Sequence, residues 1–317
     1  MKVTEHLINR TKTLVSFEIL PPLKGKSIHA LYRILEELLE FKPPFINVTY
    51  HRAEYKYKLL ENGLFEKTYI RKRPGTVGIC AAMMYKYGID AVPHLVCGGF
   101  ARSETEDALV DLNYLGINNV LLLRGDAVKP ETHFVPEPKG NKNALELVQQ
   151  VVNLNNGVYL EEELSNGYKT DFCIGVAGYP EKHAEAPNMK TDLQYLKQKV
   201  DAGAHYIVTQ MFFDNSKFIN FVNACRSMGI EVPVIAGLKP ITRKSQIYSL
   251  PSTFNISIPE ELTDAVAACT TDEAVEQVGI EWAVQQCRQL IEFGVPCLHF
   301  YTMSNTRPIQ QIMKKLF

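Results

Sequence analysis

Short apolar runs rich in β-branched residues alternate with longer amphipathic stretches along almost the whole chain. Runs that are apolar on both faces are typical of parallel strands covered by helices. The pattern predicts eight strands, at residues 14–17, 45–49, 91–96, 119–123, 172–177, 205–209, 232–236 and 297–300. It predicts amphipathic helices between them, at residues 28–39, 104–115, 144–154, 192–202, 217–228 and 279–293.

Eight buried strands that each precede a crossover favour a closed (β/α)8 barrel, a TIM barrel of the α/β class. A doubly wound open sheet is the alternative. No G-x-G-x-x-G motif follows any predicted strand, so the signature of a doubly wound dinucleotide-binding domain is missing. We therefore expect one barrel domain over residues 1–317.

Three segments depart from the regular alternation of predicted strands and helices. Residues 127–140 and 155–171 are longer than ordinary loops and are predicted to be lids or solvated decoration. Residues 250–271, interrupted by Pro251 and Pro259, are predicted to form helical turns outside the barrel. Residues 242–253 follow the seventh strand and are expected to form a mobile loop that covers the site.

Composition narrows the class of protein. The chain has 317 residues, 46% of them apolar, and 34 Lys and Arg residues balance 35 Asp and Glu residues. It lacks the positive excess that binding to nucleic acid requires. We find neither a signal peptide nor an apolar run of roughly 20 residues, so we expect a cytoplasmic protein with no membrane span. Its seven cysteines form no C-x-x-C pair, which predicts a reducing compartment and no metal site.

Polar residues stand at or just after the end of every predicted strand. In a barrel these ends meet at one rim, where barrel enzymes place their active sites. A single polar residue there is usually the start of a loop, but eight converging on one rim indicate a functional site. They are Glu18, Thr49 with Tyr50, His94, Arg124-Gly125-Asp126, Tyr179, Gln210, Lys239-Pro240 and Tyr301.

Two of these rim positions suggest specific chemistry. Glu18 lies between apolar residues and a Pro-Pro pair, which disfavours its charged form and suits a general acid. The Arg124 guanidinium can donate two parallel hydrogen bonds to a phosphate, and Gly125 lets a ligand approach the backbone. Asp126 can equally be the N-cap of a turn.

Six blocks of sequence resemble the methylenetetrahydrofolate reductase family. Their order and spacing along residues 16–302 make the resemblance specific, although each block alone is weak. The blocks are Ser16-Phe17-Glu18 through Pro22, Val48-Thr49-Tyr50, Pro93-His94-Leu95, Leu123-Arg124-Gly125-Asp126, Ala177-Gly178-Tyr179-Pro180-Glu181 with His183 and Glu185, and His299-Phe300-Tyr301-Thr302.

The resemblance implies reduction of 5,10-methylenetetrahydrofolate to 5-methyltetrahydrofolate, with NADH or NADPH as donor and FAD as cofactor, in the service of methionine synthesis. It implies that Glu18 is the general acid and that Asp126 is a catalytic carboxylate near the flavin. Residues that would hold FAD are Thr49, Tyr50, His94, Arg124, Gly125, Asp126, Ala144, Tyr179, His183, Ala186, Asp192 and Lys199. Residues that would face the folate or the nicotinamide are Gln210, Gln246, Leu250 and Tyr301.

The chain departs from the family pattern after the last strand, where Met303-Ser304-Asn305-Thr306-Arg307 replaces Leu-Asn-Arg. The basic residue that meets the folate tail is displaced by two positions, so a contact by Arg307 is an open question. Two other functions also remain open: a folate-binding barrel that transfers a methyl group or serves as a subunit without flavin, and a proline dehydrogenase-like flavoenzyme. A homo-oligomer is expected.

Overall fold

The chain folds into a closed eight-stranded parallel barrel, as the sequence predicted. The computed structural model describes residues 1–127, 131, 133–161, 164, 167–303 and 305–317. Around the barrel the strand order is β1-β2-β5-β6-β7-β8-β9-β10, and β3 and β4 form a separate two-stranded sheet. The strands are β1 Leu14–Ile19, β2 Phe45–Val48, β3 Glu54–Leu59, β4 Phe65–Ile70, β5 Asp90–Val96, β6 Asn119–Leu123, β7 Cys173–Gly178, β8 Tyr206–Thr209, β9 Val234–Leu238 and β10 Cys297–Tyr301.

Helices cover the outside of the barrel. The main core lies between strands and helices, as in helix α2, where Leu31, Leu35 and Leu38 recur on one face and are all buried. No helix within the described ranges is both long and apolar enough to span a bilayer. The helices are α1 Val3–Ile8, α2 His29–Leu39, α3 Thr76–Tyr87, α4 Arg102–Tyr114, α5 Ala144–Asn155, α6 Met189–Asp201, α7 Asn215–Ser227, α8 Gln246–Phe254, α9 Glu260–Ala268, α10 Asp272–Phe293 and α11 Arg307–Leu316.

The inside of the barrel is apolar at one end and polar at the other. At the amino-terminal end of the strands, Phe45, Tyr206 and Cys297 form a second buried cluster. Helix α1 closes this end by packing Val3 and Leu7 onto the same cluster. The interior positions nearer the carboxyl ends of the strands carry polar side chains. The barrel is therefore packed with apolar side chains at its amino-terminal end and polar at its carboxyl-terminal end, where barrel enzymes place their active sites.

A two-stranded antiparallel ribbon was missed from the sequence. It follows β2 at the catalytic rim, pairs β3 with β4, and turns at Asn62-Gly63. Arg52 fixes its base through ion pairs to Glu131 and Glu137, 3.6 and 3.5 Å away. Both faces of the ribbon are largely exposed, so the usual alternation of buried and exposed positions is absent. The turn signal Asn-Gly was the available sequence cue.

Two helical regions differ from the sequence expectation. Residues 242–253 do not form a loop, because α8 begins at Gln246 and runs through most of that segment. The expected helical turns at residues 250–271 are confirmed as the end of α8 and all of α9. Helix α10 begins at Asp272 rather than residue 279, since the Thr271 side chain caps it by accepting from Ala274 N.

The tight barrel interior predicts a large cost for a small increase in volume. A Cβ atom on Gly175 would lie 2.3 Å from the ring of the fully buried Tyr206. We expect Gly175→Ala to lower the free energy of unfolding by about 1–3 kcal/mol through overpacking. The measurement is urea unfolding followed by circular dichroism.

Gly78→Ala is the matched control. A Cβ on Gly78, within helix α3, would meet nothing within 4 Å, so we expect this change to stabilise the protein by about 0.5–1 kcal/mol. Equal effects of the two substitutions would contradict the tight packing of Tyr206 against Gly175.

Candidate active site

The polar side chains named from the sequence gather at the carboxyl-terminal mouth of the barrel. Three of them lie inside strands rather than beyond them: Glu18 is the penultimate residue of β1, His94 lies two residues before the end of β5, and Tyr301 is the last residue of β10. Strand β1 runs past its predicted end, whereas β5 ends at Val96 as predicted. The Glu18 and His94 side chains lie inside the mouth, where solvent is largely excluded.

Glu18 lies between two imidazole rings. Its Oε2 atom is 3.5 Å from Nε2 of His94 and 3.8 Å from Nε2 of His299. The Glu18 side chain is only 12% exposed and His299 is fully buried. A proton held at the Glu18 carboxyl group thus has two nitrogen atoms close enough to exchange with it after small movements.

His94 is neutral near pH 7. Burial lowers the pKa of its imidazole to about 4, although the nearby Glu18 carboxylate opposes this shift. Its Nε2 also lies 3.3 Å from Nδ2 of Asn47. Burial likewise lowers the pKa of Lys239, again against the effect of Glu18. The mouth therefore disfavours positive charge around a carboxyl group.

Sequence reasoning missed three residues of this cluster as functional candidates: Ser16, Asn47 and His299. Oγ of Ser16 lies 2.8 Å from Nδ1 of His299, so the serine fixes the orientation of that ring. Strand β1 pairs Ser16 with His299 and Glu18 with Tyr301. Alternation along the two strands was the available signal, since residues two apart face the same side.

Tyr301 and Gln210 lie beside this cluster. The Tyr301 hydroxyl donates to the Thr209 carbonyl at 2.5 Å. Gly237 leaves room for it, because a Cβ there would lie 2.6 Å from the hydroxyl and 2.0 Å from the Thr209 carbonyl. The Gln210 backbone N–H donates to Gly178, which places its side chain immediately after β8 at the rim.

A second part of the site is a cavity of about 450 Å³ beside β6 and β7. Seven of the residues expected to bind cofactor line it, so the fold brings together positions far apart in sequence. They are Arg124, Ala144, Tyr179, His183, Ala186, Asp192 and Lys199. Gln198 and Tyr195 also line it and had not been expected.

Arg124 is the principal cation of this cavity. Its guanidinium forms a fork onto the carboxylate of Glu185, with Nη2 donating to Oε1 at 2.8 Å. This hydrogen bond lowers the pKa of Glu185 and raises that of Arg124. The buried Nε of Arg124 has no hydrogen-bond partner among the described residues. The side chain thus retains one donor that no described residue satisfies.

A charged pair lies deeper in the cavity. Lys199 donates to the Ala177 carbonyl at 2.8 Å, and burial lowers the pKa of its ammonium group to about 8. The Asp192 carboxylate accepts from the His183 backbone N–H at 3.0 Å, while burial raises its pKa. Burial and Arg124 lower the pKa of His183, whose ring packs edge-on to Tyr179 at 4.8 Å. The cavity combines two cations with one buried carboxylate.

The remaining expected cofactor residues lie on the rim between these two parts. Thr49 Oγ1 donates to the Ile19 carbonyl at 3.3 Å, and the Tyr50 ring lies 5.0 Å from Phe100. Gly125 has a positive φ of 87°, which glycine accommodates without strain. Asp126 is exposed, so its carboxylate can reach a ligand above the mouth.

Two residues expected at the substrate make structural contacts within the protein. The Gln246 side-chain oxygen accepts from the backbone N–H groups of Thr242 and Arg243, at 2.7 and 3.0 Å, and so fixes the start of α8. Leu250 is buried in an apolar cluster with Met211 and Phe213. Tyr301 packs against that cluster, so Leu250 supports the wall of the mouth from behind.

Arg307 does not turn toward the mouth. It is the first residue of α11, its Nε lies 3.4 Å from Oε1 of Glu276, and its side chain is 69% exposed. The preceding Ser304 lies outside the described residues. The displaced basic residue therefore forms a surface ion pair in this structure.

Comparison with known proteins assigns the chain to a family. The family model described as methylenetetrahydrofolate reductase matches residues 2–317. A probable methylenetetrahydrofolate reductase (NADPH) of Caenorhabditis elegans is 31% identical over 98% of this chain and 43% of its own length. Methylenetetrahydrofolate reductase 1 of Schizosaccharomyces pombe is 30% identical over 100% of this chain and 48% of its own length. This chain spans about half the length of these two relatives.

A bacterial relative is matched over more of its own length. The 5,10-methylenetetrahydrofolate reductase of Pectobacterium carotovorum is 29% identical over 92% of this chain and 85% of its own length. Among solved structures, an uncharacterised protein from Clostridium thermocellum that binds two copies of 5-methyl-5,6,7,8-tetrahydrofolic acid has a TM-score of 0.59 at 14% identity, over 99% of this chain and 97% of that one. This likeness shows a shared fold.

The lowered pKa of Lys199 predicts how anion binding in the cavity depends on pH. Lys199 is charged below about pH 8 and loses its charge as the pH rises through that value. We expect the affinity for ADP, used as an anionic probe, to fall by about tenfold between pH 7 and 9, since a hydrogen bond to a charged group is lost. Isothermal titration calorimetry measures this change.

Two lysine variants complete the test. Lys199→Met should bind ADP weakly at both pH values and show no step near pH 8. Lys197→Met, on the same helix but ion-paired with Asp201 at the surface, should keep the parental profile. A parental affinity that does not change between pH 7 and 9 would show that Lys199 does not contact the anion.

Proposed function

The chain belongs to the methylenetetrahydrofolate reductase family, and from this premise we propose that it reduces 5,10-methylenetetrahydrofolate to 5-methyltetrahydrofolate with NADH or NADPH, through bound FAD. The product would feed methionine synthesis. The observation that carries the proposal is Glu18, a nearly buried carboxyl group inside the barrel mouth that lies beside His299 and beside His94, whose imidazole is neutral.

The cavity beside β6 and β7 fits the phosphate and adenosine parts of FAD. Arg124 and Lys199 supply positive charge, and the buried Arg124 Nε lacks a partner among the described residues. Ala144 and Ala186 leave the walls small, and Ala144 begins helix α5, whose backbone N–H groups favour an anion. Bound at this position, FAD would supply the capacity to accept and donate hydride.

The proposed cofactor contacts extend from that cavity across the rim. Tyr179, His183 and Asp192 line the cavity, while Thr49, Tyr50, His94, Gly125 and Asp126 border the path to Glu18. We propose that the exposed carboxylate of Asp126 influences both the flavin and the pterin. A negative charge there would disfavour the anionic reduced flavin and strengthen hydride donation.

Glu18 is the proposed general acid. Activation of the methylene-folate requires protonation of a ring nitrogen so that the five-membered ring opens to a reactive iminium ion. The Glu18 carboxyl group would donate this proton. His299, oriented by Ser16, and His94 would be the side chains nearest to the carboxylate that remains, which would regain its proton from solvent after the product leaves.

Gln210 and Tyr301 are the proposed substrate contacts nearest to Glu18. Gln210 begins the loop after β8, and the Tyr301 hydroxyl forms one wall of the mouth. We propose that Gln246 and Leu250 act indirectly, since the first caps α8 and the second packs behind Tyr301. The choice between NADH and NADPH would then depend on residues above the rim.

A folate-binding barrel without flavin remains the second candidate function. It would need only the pterin part of the site, whereas the cavity with Arg124 and Lys199 is unnecessary for it. A yellow purified protein with flavin absorbance, which NADH or NADPH bleaches and methylenetetrahydrofolate restores, supports the reductase. A colourless protein that cannot be reconstituted with FAD would favour the alternative.

Replacing Glu18 separates proton donation from hydride acceptance. Glu18→Gln keeps the size and a hydrogen bond but removes the acid. We expect flavin reduction by NADH within about tenfold of the parent, and folate reduction at least ~10²-fold slower, the typical loss for a general acid. Stopped-flow absorbance measures both half-reactions on one preparation.

Glu40→Gln is the control for this substitution, because Glu40 is an exposed carboxylate at the end of α2 and far from the mouth. It should leave both half-reactions unchanged. If Glu18→Gln reduced folate at nearly the parental rate, Glu18 would not be the acid. Loss of flavin from that variant would show instead that Glu18 has a structural role.

A further inference from the structure

Four basic side chains gather where the antiparallel ribbon joins the rim of the barrel. Lys24 lies in the loop after β1, and Arg71, Lys72 and Arg73 follow β4. The two segments are held together, since the Lys24 N–H donates to the Lys72 carbonyl at 2.9 Å and the Arg73 guanidinium donates to the Pro21 carbonyl. We call these four residues the rim cation cluster.

The rim cation cluster contacts the loop that leaves β1 just beyond Glu18. Pro21 is three residues beyond Glu18 in the loop that leaves β1. The Arg71 guanidinium lies over the ring of Tyr50, 5.4 Å from its centroid. His51, exposed at the base of the ribbon, lies within electrostatic reach of Arg73, Glu18 and Asp126. The cluster therefore faces the same opening as the proposed acid.

Most of this positive charge is available to a ligand. Lys24, Arg71 and Lys72 are exposed, and Arg73 is partly exposed. Lys72 pairs with Glu54 at 2.5 Å. Lys24, Arg71 and Arg73 have no carboxylate within ion-pair distance in the part of the chain that the structure describes. Three unneutralised cations at one edge of a mouth attract an anionic group.

We propose that the rim cation cluster binds the carboxylates of the glutamyl tail of the folate substrate. This inference rests on the proposed function, which places the pterin ring at Glu18. The p-aminobenzoyl group is a rigid spacer, so the tail carboxylates of a pterin bound at Glu18 reach the rim rather than the barrel interior. Arg307 is engaged with Glu276 and does not provide this contact.

The phosphate groups of the nicotinamide cosubstrate share this chemistry, since they are also anionic oxygen acceptors. Two observations favour the glutamyl tail. The cluster adjoins Glu18, which acts on the folate and not on the nicotinamide. The phosphates of the other dinucleotide, FAD, would be held at Arg124 and Lys199, beside β6 and β7. The rim cation cluster, at the base of the ribbon, would therefore determine the preference for the length of the glutamyl tail.

The test compares methylenetetrahydrofolate carrying one glutamate with the same substrate carrying three. For the flavin-loaded parent we expect a KM at least about fivefold lower for the triglutamate at low salt, with the difference shrinking at high salt. Arg71→Gln and Lys24→Gln should each reduce this advantage by about two- to fivefold, the range expected for one exposed ion pair. Thermal unfolding confirms that each variant is folded, and Lys24→Gln affects only an exposed loop.

Lys58→Gln is the matched control. Lys58 lies on β3 opposite Glu66, in the same ribbon but away from the rim, and the substitution removes the same charge. It should keep the parental ratio of the two KM values. A similar loss of the ratio in Lys58→Gln would show a general effect of net charge and would overturn the assignment to the rim.

The remaining outcomes separate this inference from the proposed function. Reduction of the monoglutamate with no preference for the triglutamate would overturn the inference and leave the reductase intact. A raised KM for NADPH in Arg71→Gln and Lys24→Gln, with the folate ratio unchanged, would assign the cluster to the nicotinamide phosphate. If the parent reduced neither folate, the proposed function and this inference would both be wrong.

Discussion

The parallel pairing of β1 with β10 closes the barrel and determines the geometry of the whole site. This pairing brings Ser16 opposite His299 and Glu18 opposite Tyr301, although about 280 residues separate the partners along the chain. Closure also directs all eight carboxyl ends to one mouth. Without it, Glu18 would be an ordinary strand carboxylate in contact with solvent. The hydrogen-bonded seam therefore determines the surroundings of the Glu18 carboxyl group.

Burial then determines how the groups at the mouth are charged. Desolvation keeps His94 neutral and lowers the pKa of Lys239, because an interior of low polarity disfavours cations. The same effect lowers the pKa of Lys199 in the neighbouring cavity, while Arg124 stays charged through its pairing with Glu185. The two parts of the site thus differ in electrostatic character: one contains a carboxyl group beside the neutral imidazole of His94, the other contains cations.

The elements outside the barrel cover its amino-terminal end and border its mouth. Helix α1 packs onto the apolar cluster at the amino-terminal end of the barrel. Helices α8 and α10 surround an apolar cluster that supports Tyr301 from behind. The ribbon adds basic side chains to the opposite edge of the mouth, tied to the loop that leaves β1. The barrel strands fix the positions of the site residues, and these outer elements determine the shape of the opening.

The sequence by itself determined the barrel and most of its strands and helices, and it singled out seven of the residues that line the cavity beside β6 and β7. Strand period and the polar residues at strand ends are local signals, so they can be detected without knowledge of the fold. The sequence did not reveal the ribbon, because its two strands are exposed on both faces and lack a buried period.

Contacts between distant strands were decided only by the tertiary structure. The position of Glu18 between His94 and His299 depends on the register of three strands, and the capping role of Gln246 depends on where α8 begins. The turning of Arg307 toward Glu276 depends on the packing of α11 against α10. Pairings of this kind arise from register and packing across large sequence separations, which no local pattern of residues encodes.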